Sequence, residues 1–264
     1  MNQNLTIILP TLNEEENLKL LIPNIVKVIC DLNINNYEIL VIDDGSDDNT
    51  EKLIANYNDK KIQFHLRNDE KSLPLSISYG IQFSKYENVM WLDADGSMND
   101  AAIRKLLEKF KTESHSCIIG SRFVENGGYK GIEETGKTSF FRAMYNVSKS
   151  NDSITATVLS KIFNNILYLI SPSKIKDLTS GFIIINKKYI DLEIFEKSSY
   201  GDYFIYLIHD LYAKKVKMVE VGYLCETRIH GESKTGSSLF QLIKRGIPYI
   251  SAVIKCRMNI NENL

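Results

Sequence analysis

Two aspartates separated by one residue form the part of the sequence whose chemistry is easiest to name. Asp93 and Asp95 follow the apolar run VMWL, and Ser97 comes two residues later. Alternate side chains of an extended chain project to the same side, so these three oxygen-bearing groups are expected to share one face. Such ligands suit Mg²⁺ or Mn²⁺, which predicts a divalent-metal site. The alternative is a strand-end turn in which Asp95 caps the next helix.

Two other apolar runs also end in acidic segments. Pro10–Glu14 (PTLNE) follows the run LTIIL, and Asp43–Ser46 (DDGS) follows the run YEILVI. Carboxylates of this kind accept hydrogen bonds from nucleobase N–H groups or ribose hydroxyls, which favours a nucleoside site. The same residues are good helix N-terminal signals, and both interpretations can hold together.

A basic cluster follows a late apolar run. Arg228–Lys234 (RIHGESK) comes after Met218–Leu224. Its two outer residues, Arg228 and Lys234, could offer positive charge to a diphosphate, and Gly231 would let the backbone approach closely. The alternative is a solvated basic loop.

The elements that must position these residues alternate along the first half of the chain. Continuous apolar strands that alternate with helices indicate a parallel sheet covered on both faces. Ligands bind beyond the carboxyl ends of such strands, so the three acidic segments are expected to converge at one edge. The expected strands are 5–9, 37–42, 62–66, 89–92, 117–120, 181–186 and 218–224, and the expected helices are 13–29, 50–57, 76–84 and 101–111.

The second half divides into a domain with a long loop and a tail. No linker separates independent domains, so residues 1–236 are expected to form one domain. Within it, residues 125–158 are mostly polar, with several glycines near their start, which is typical of a functional loop on the acceptor side. Residues 237–264 form the expected C-terminal helical tail.

The tail has an amphipathic, basic pattern. Between Ser233 and Asn261 there are five basic residues and no acidic one, and Pro248 is expected to kink the helix. This pattern favours peripheral contact with an anionic membrane, and packing on the domain or on a partner subunit is the alternative. The residues expected on its apolar face are Leu239, Leu242, Ile243, Tyr249, Ile250, Val253 and Ile254.

Composition excludes several classes of protein. The 264 residues carry a formal net charge of −1, which argues against a nucleic-acid partner. The four cysteines lie far apart in the sequence, so reduced thiols are expected and not a disulfide scaffold. No signal peptide and no apolar run of about 18 residues is visible. We therefore expect a cytoplasmic protein, peripheral at the cytoplasmic face of a membrane.

Five segments in order resemble the family 2 glycosyltransferases, which have the GT-A fold. Within that family the chain looks most like the dolichol-phosphate mannose synthase branch, whose members make polyprenyl-phosphate sugars. The resemblance implies a three-layer α/β fold with a mostly parallel central sheet. The segments are LPTLNEEENL, VIDDGSDDNT, WLDADGSM, DLTSGF and EVGYLCETRIHGESK.

The resemblance also implies roles for individual residues. The donor is then a nucleotide sugar, a GDP- or UDP-hexose, and its metal is Mg²⁺ or Mn²⁺, held by Asp93, Asp95 and Ser97. The implied catalytic residues are Asp95, Asp177 and Asp202, and the implied phosphate and acceptor residues are Arg122, Ser160, Arg228, Ser233 and Lys234. The implied donor-nucleotide residues are Pro10, Thr11, Asn13, Glu14, Asp43, Asp44, Ser46, Asp93 and Ala94.

Several positions depart from the branch. Ser97 stands where mannose synthases often have Gln, and Ser72–Pro74 replaces their Gly-Leu-Gly segment. Mannose synthases have a Glu-Val-Pro segment where this chain has Glu220–Gly222. At the Arg-rich helix start of those enzymes, this chain keeps only Ser160 and Lys161. These departures bear most on the identity of the acceptor.

The acceptor depends on whether a general base is present. A phosphate acceptor is already ionised, whereas a sugar hydroxyl needs a base within hydrogen-bond reach. Asp202 and the pair His209–Asp210 are the nearby candidates, although Asp202 also fits the N-cap of a helix. The sequence therefore favours an inverting hexosyltransferase with a polyprenyl phosphate acceptor. The alternatives are a hydroxyl acceptor in surface polysaccharide or glycan synthesis, and a nucleotide-sugar-binding protein whose catalysis has lapsed.

Overall fold

The computed structural model describes residues 4–113, 116–129, 153–226 and 239–262, with residues 153–159, 239–245 and 259–262 described as backbone only. The described strands are β1 (Leu5–Thr11), β2 (Tyr37–Asp43), β3 (Ile62–Leu66), β4 (Asn88–Trp91), β5 (Cys117–Ser121), β6 (Gly128–Tyr129), β7 (Ile183–Asn186), β8 (Met218–Gly222) and β9 (Leu224–Cys225).

The helices fill the intervals between the strands. They are α1 (Glu15–Asp31), α2 (Thr50–Asn56), α3 (Leu73–Phe83), α4 (Asp100–Thr112), α5 (Ser153–Ile170), α6 (Glu193–Glu196), α7 (Tyr203–Ala213) and α8 (Leu239–Glu262). The predicted elements of the first half are confirmed to within a few residues. The predicted loop over 125–158 is partly wrong, because α5 begins at Ser153 and β6 pairs with β9; its residues 130–152 lie outside the described residues.

Seven of the described strands form one mostly parallel sheet in the order β3-β2-β1-β4-β7-β5-β8. Strand β7 is the exception, since it runs antiparallel to both β4 and β5. Strands β2, β1 and β4 are adjacent and parallel, and Thr11 pairs with Asp43 at the ends of β1 and β2. Their carboxyl ends, and the acidic segments that follow them, therefore meet at one edge, as predicted.

The sheet has an apolar core on each face because its central strands are apolar at consecutive positions. Ile7 and Ile39 face the layer that contains α1 and α4, whereas Ile8 and Trp91 face the layer that contains α3, α7 and α8. All four side chains are buried. The three layers confirm the predicted α/β class.

Helix α8 packs on the second core through one of its sides. Ala252, Val253 and Cys256 are buried there, while Ile254 is 44% exposed. The expected single apolar face is therefore divided between a packed side and an exposed side. Pro248 lies within the helix, and the boundary proposed near residue 236 lies outside the described residues. Among the described residues, no helix is long and apolar enough to cross a membrane.

Candidate active site

A cavity of about 370 Å³ lies beyond the carboxyl ends of β1, β2 and β4, and we call it the carboxyl-edge pocket. Each of the three acidic segments contributes to its wall. Seven of the predicted donor-site or metal-site residues line it together, which supports the prediction that these segments converge. They are Pro10, Thr11, Glu14, Asp44, Asp93, Ala94 and Asp95.

Asn13 and Ser46 hold two of these loops together, and neither lines the pocket. The Asn13 amide donates to the Ser46 hydroxyl at 2.7 Å, and the Asn13 side-chain oxygen accepts from the Asp47 amide at 2.9 Å. Asn13 adopts a φ of 57°, which asparagine tolerates well. The Glu15 amide adds a third bond to Asp48 at 3.0 Å. Asn13 and Ser46 therefore support these loops, and their predicted contact with the donor stays a prediction.

Asp43, a predicted donor-binding residue, does not line the pocket, and its predicted role stays a prediction. Its carboxylate is 1% exposed and turns back onto its own loop. It accepts from the Gly45 amide at 3.0 Å, and from the amide and hydroxyl of Ser46 at 2.8 and 2.5 Å. These bonds shape the tight turn that follows β2.

Asp44 lies on the pocket wall and is fixed by a buried cation. Arg67, which is 4% exposed, forms an ion pair with it through Nη1, and the Ser72 amide donates to its other oxygen at 2.5 Å. Arg67 also donates to the Ser76 hydroxyl at 3.0 Å. The sequence interpretation missed Arg67, although its position directly after the β3 strand was the available signal.

Glu14 and Lys71 lie on the same wall. The Glu14 carboxylate accepts from the Asn17 side chain at 2.5 Å. Lys71, which the sequence interpretation also missed, donates to the Gly45 carbonyl at 3.2 Å and lines the pocket. This wall therefore offers both carboxylate acceptors and a cation to a ligand.

Asp93 and Asp95 follow strand β4 in a turn and do not lie on an extended strand. The prediction that they share one face because side chains alternate along a strand is therefore wrong. Strand β4 ends at Trp91, and Gly96 adopts a φ of 77°. Both carboxylates nevertheless line the pocket. The predicted alternative, in which Asp95 caps helix α4, is wrong, because Asn99 is the N-cap and its side chain accepts from the Ala102 amide.

The donor set of this turn fits a hard divalent cation through two protein carboxylates. Mg²⁺ commonly takes one or two carboxylates and completes its shell with substrate phosphate and water oxygens. Among the described residues no group of three His, Cys, Asp or Glu side chains could hold a metal, so the pair is the complete acidic set there. Ser97 does not line the pocket; its amide donates to Asp95 at 3.0 Å and its carbonyl accepts from the Glu226 amide. Its predicted role as a metal ligand stays a prediction.

The opposite wall of the pocket is aromatic, and the sequence analysis did not predict it. Tyr200, Tyr203, Phe204 and Tyr249 line it. Burial raises the pKa values of Tyr203 and Tyr249, so both hydroxyls stay protonated. The Tyr203 oxygen accepts from the Trp91 indole at 3.1 Å. Tyr249 comes from α8, so the C-terminal helix forms part of the pocket.

Asp177 and Arg122 form an ion pair behind the pocket, and their predicted catalytic and phosphate-binding roles stay predictions. Asp177 is fully buried and accepts from Arg122 Nε and Nη2 at 2.9 and 2.8 Å. Burial alone would lower the pKa of Arg122, but the charge of Asp177 raises it, so the pair stays ionised. Arg122 also donates to the Thr179 hydroxyl at 2.8 Å. Thr179 and Gly181 line the pocket, so the pair supports their loop.

Asp202 occupies the N-cap position of α7, but its carboxylate does not cap the helix. It accepts from the Ser199 and Tyr200 amides at 3.1 and 2.8 Å, and from the Ser199 hydroxyl at 3.2 Å. Asp202 is 5% exposed and does not line the pocket, whereas Ser199 and Tyr200 do. These bonds support the aromatic wall, and the predicted role of Asp202 as a base stays a prediction.

Among the described residues, the remaining predicted acceptor residue is Ser160. The Ser160 hydroxyl is 3.3 Å from the Tyr129 hydroxyl and does not line the pocket. Arg228, Ser233 and Lys234 lie outside the described residues. Their predicted roles therefore stay predictions.

Fold and pocket together define a class. A three-layer sheet with one antiparallel strand, and with acidic loops converging at its carboxyl edge, is the GT-A architecture of glycosyltransferases. Residues 6–192 match the profile of Glycosyl transferase family 2. The chain belongs to that family.

Two named proteins are similar to this chain in sequence. The chain is 30% identical over 244 residues to a dolichol-phosphate mannosyltransferase of Pyrococcus furiosus, which covers 90% of the chain and 61% of the relative. It is 28% identical over 199 residues to the poly(ribitol-phosphate) β-N-acetylglucosaminyltransferase TarP of Staphylococcus aureus, covering 74% of the chain and 54% of TarP. The chain thus spans less than two thirds of the length of either protein.

A solved structure confirms the fold. The chain is similar to glucosyl-3-phosphoglycerate synthase from Mycobacterium tuberculosis, solved with Mn²⁺, uridine diphosphate and glucosyl-3-phosphoglycerate. The TM-score is 0.59 at 14% identity, and the match covers 96% of this chain and 80% of that one. At this identity the likeness establishes the shared architecture.

Proposed function

We propose that the protein is a metal-dependent, inverting glycosyltransferase that moves a hexose from a GDP- or UDP-sugar to a polyprenyl phosphate. One observation carries the proposal: the acidic segments after β1, β2 and β4 line a single pocket of about 370 Å³ in a family 2 chain. The relative from Pyrococcus furiosus, a dolichol-phosphate mannosyltransferase, supports the choice of acceptor.

The nucleoside of the donor is proposed to bind between the loops after β1 and β2. Glu14 and Asp44 offer acceptors for base or ribose donors, and Arg67 keeps Asp44 in place. Lys71 lies on the same wall and offers a positive charge to the diphosphate. This arrangement orients the donor with its diphosphate towards the turn after β4.

The diphosphate is proposed to meet Asp93 and Asp95, which would hold Mg²⁺ or Mn²⁺. A metal bound there would neutralise the charge that grows on the departing nucleoside diphosphate. The backbone of Thr179–Gly181 and the aromatic wall then enclose the space left for the sugar. Tyr203 and Tyr249 keep protonated hydroxyls that can donate to it.

The acceptor is proposed to be a phosphate because none of the described residues places a further carboxylate at the sugar space. Among the described residues, the carboxylates that line the pocket are Glu14, Asp44, Asp93 and Asp95, all at the donor end. An ionised phosphate oxygen can attack the anomeric carbon without losing a proton, which fits this arrangement. The reaction is proposed to occur at the cytoplasmic face of a membrane, where such an acceptor resides.

A hydroxyl acceptor is the second candidate, and the similarity to TarP favours it. Its base would have to come from residues 130–152 or 227–238, which lie outside the described residues. This candidate keeps the proposed donor chemistry and changes only the nucleophile.

The test incubates the purified protein with Mg²⁺ or Mn²⁺, a panel of GDP- and UDP-hexoses, and polyprenyl phosphate. Nucleoside diphosphate release and lipid-linked sugar are both followed. We expect release to depend on the lipid, and Asp95→Asn to lower it by about a hundredfold or more, since several kcal/mol of charge stabilisation are lost. Asp100→Asn, which changes an exposed aspartate outside the pocket, is the matched control and should stay active.

Other outcomes would contradict the proposal. Release that rises with a saccharide and ignores the lipid would assign the hydroxyl acceptor. Nucleotide binding without release, with every donor and acceptor, would assign a lapsed enzyme.

A further inference from the structure

Two helices of the second half form an exposed surface that the proposed reaction does not use. Helices α5 and α8 lie side by side: the rings of Phe163 and Tyr249 meet edge to face, and Arg257 donates to the Ile170 carbonyl at 2.9 Å. Half of the exposed large hydrophobic side chains among the described residues belong to these two helices. They are Ile166, Leu169, Ile247, Ile254 and Met258, and we call their face the α5–α8 surface.

Helix α8 has two apolar sides with different surroundings. Tyr249 and Val253 point into the protein, and Tyr249 reaches the carboxyl-edge pocket. On the outer side, Ile247 and Ile254 border a shallow apolar groove of about 340 Å³, and Lys255 stands at its rim. A helix that only packed against the domain would need one apolar side, so the outer side indicates a further contact.

Charge on the two helices is mostly positive: α5 and α8 together contain five basic residues and one acidic residue, Glu262. Residues 153–176 and 239–261 contain seven basic residues and no acidic residue. Because the whole chain carries −1, the remainder carries −8. Three of the cations, Lys161, Lys255 and Arg257, are exposed on the two helices. Exposed apolar side chains with cations beside them match the chemistry of an anionic lipid surface.

We propose that the α5–α8 surface docks on an anionic phospholipid leaflet, with Leu169 and Ile254 inserted at the headgroup boundary. The inference rests on the proposed function in one respect, because that function includes a lipid-phosphate acceptor. Docking explains how this acceptor reaches the pocket. Tyr249 lines the pocket on the other side of α8, so about one helix diameter, roughly 10 Å, separates lipid from pocket. The headgroup phosphate of an acceptor then enters the pocket while its chain stays in the bilayer.

The experiment measures co-sedimentation of the full chain with vesicles in the absence of any donor or acceptor. Phosphatidylcholine vesicles are compared with vesicles that also contain phosphatidylglycerol, at low and high salt. We expect binding to the anionic vesicles that weakens with salt. Leu169→Ser and Ile254→Ser should each weaken it about tenfold or more, because each removes one inserted side chain. Leu20→Ser on α1, which removes a leucine that is 45% exposed, is the matched control and should bind normally.

Two results would overturn the inference. The first is absence of binding to anionic vesicles, or equal binding by all three variants and the unsubstituted chain. The second is a dimer in sedimentation velocity that Ile254→Ser dissociates, which would assign the surface to a second copy. The assay contains no sugar donor, so vesicle binding and glycosyl transfer can fail independently.

Discussion

Asp44 shows how a single buried charge keeps a pocket-lining loop in one conformation. Its carboxylate is 7% exposed, and the Arg67 guanidinium and the Ser72 amide both donate to it. A carboxylate so removed from water is tolerated only while its partners are present. The loop after β2, the end of β3 and the start of α3 are therefore tied together at one residue.

Replacing Arg67 tests this dependence. Arg67→Met leaves Asp44 buried without its cation, so we expect the free energy of unfolding to fall by about 3–5 kcal/mol in urea denaturation. The double variant Arg67→Met with Asp44→Asn should recover part of the loss, because no buried charge is left unpaired. Arg104→Met, which breaks the exposed pair with Asp31, is the control and should cost under about 1 kcal/mol. Equal losses for the two single variants would show that the buried pair is not needed.

At the residue scale the sequence predicted the pocket better than the role of each member. Asp43 and Asp44 are neighbours of the same type, yet one shapes a turn and the other faces the pocket. Asp177 and Asp202 lie in the expected segments, but both carboxylates are bonded inside the protein. Residue type and spacing predict that polar groups meet at a sheet edge, whereas turn geometry decides which oxygen faces a ligand.

Among the elements, helix α8 depends on a close contact with the loop before α7. The Tyr249 hydroxyl lies where a Cβ on Gly201 would be, so only glycine fits beneath the ring as placed. Tyr249 also meets the Phe163 ring of α5 at a centroid distance of 6.0 Å. The aromatic wall of the pocket is therefore formed where three elements meet.

A double-mutant cycle checks that contact. Gly201→Ala should destabilise the protein by about 1–3 kcal/mol, because the added methyl overlaps the Tyr249 hydroxyl. Tyr249→Phe removes that oxygen, so the cost of Gly201→Ala should be smaller in the Tyr249→Phe background. Urea denaturation of the four proteins measures the coupling. Additive effects would mean that α8 does not rest on this loop in solution.

The elements themselves were predictable where their patterns were regular. Strands β1 to β5 are short apolar runs bounded by polar residues, and α1 and α4 have clear helical spacing. The first residues of helix α5 were predicted to belong to a loop, because polar residues precede the apolar part of the helix. The antiparallel direction of β7 was also not predicted, since an apolar run carries no information about direction.

The molecule as a whole joins a half that supplies the acidic loops of the pocket to a half that completes it. The sheet order brings β2, β1 and β4 together, while α7 and α8 add the aromatic wall from the far end of the chain. Their packing buries His209 of α7, whose Nε2 lies 3.2 Å from the Ser171 hydroxyl. Its Nδ1 has no hydrogen-bond partner among the described residues.

His209 should therefore set part of the acid stability of the whole fold. Burial lowers the pKa of His209 from 6.5 to about 4, so the folded protein disfavours the proton that the unfolded chain accepts. The contribution of His209 to the free energy of unfolding is fully present above pH 6.5. It is lost as the pH falls towards about 4, by about 3 kcal/mol in all.

His209→Gln removes this titration and leaves a side chain that can bond to Ser171. Urea denaturation across that pH window should show a shallower fall in the free energy of unfolding for the variant than for the unsubstituted chain. Burial also lowers the pKa of His65, but its ring is only half-buried, so His65→Gln is the control and should flatten the curve less. Parallel curves for His209→Gln and the unsubstituted chain would mean that the His209 ring is hydrated in the folded protein, and that α7 packs less tightly than its burial indicates.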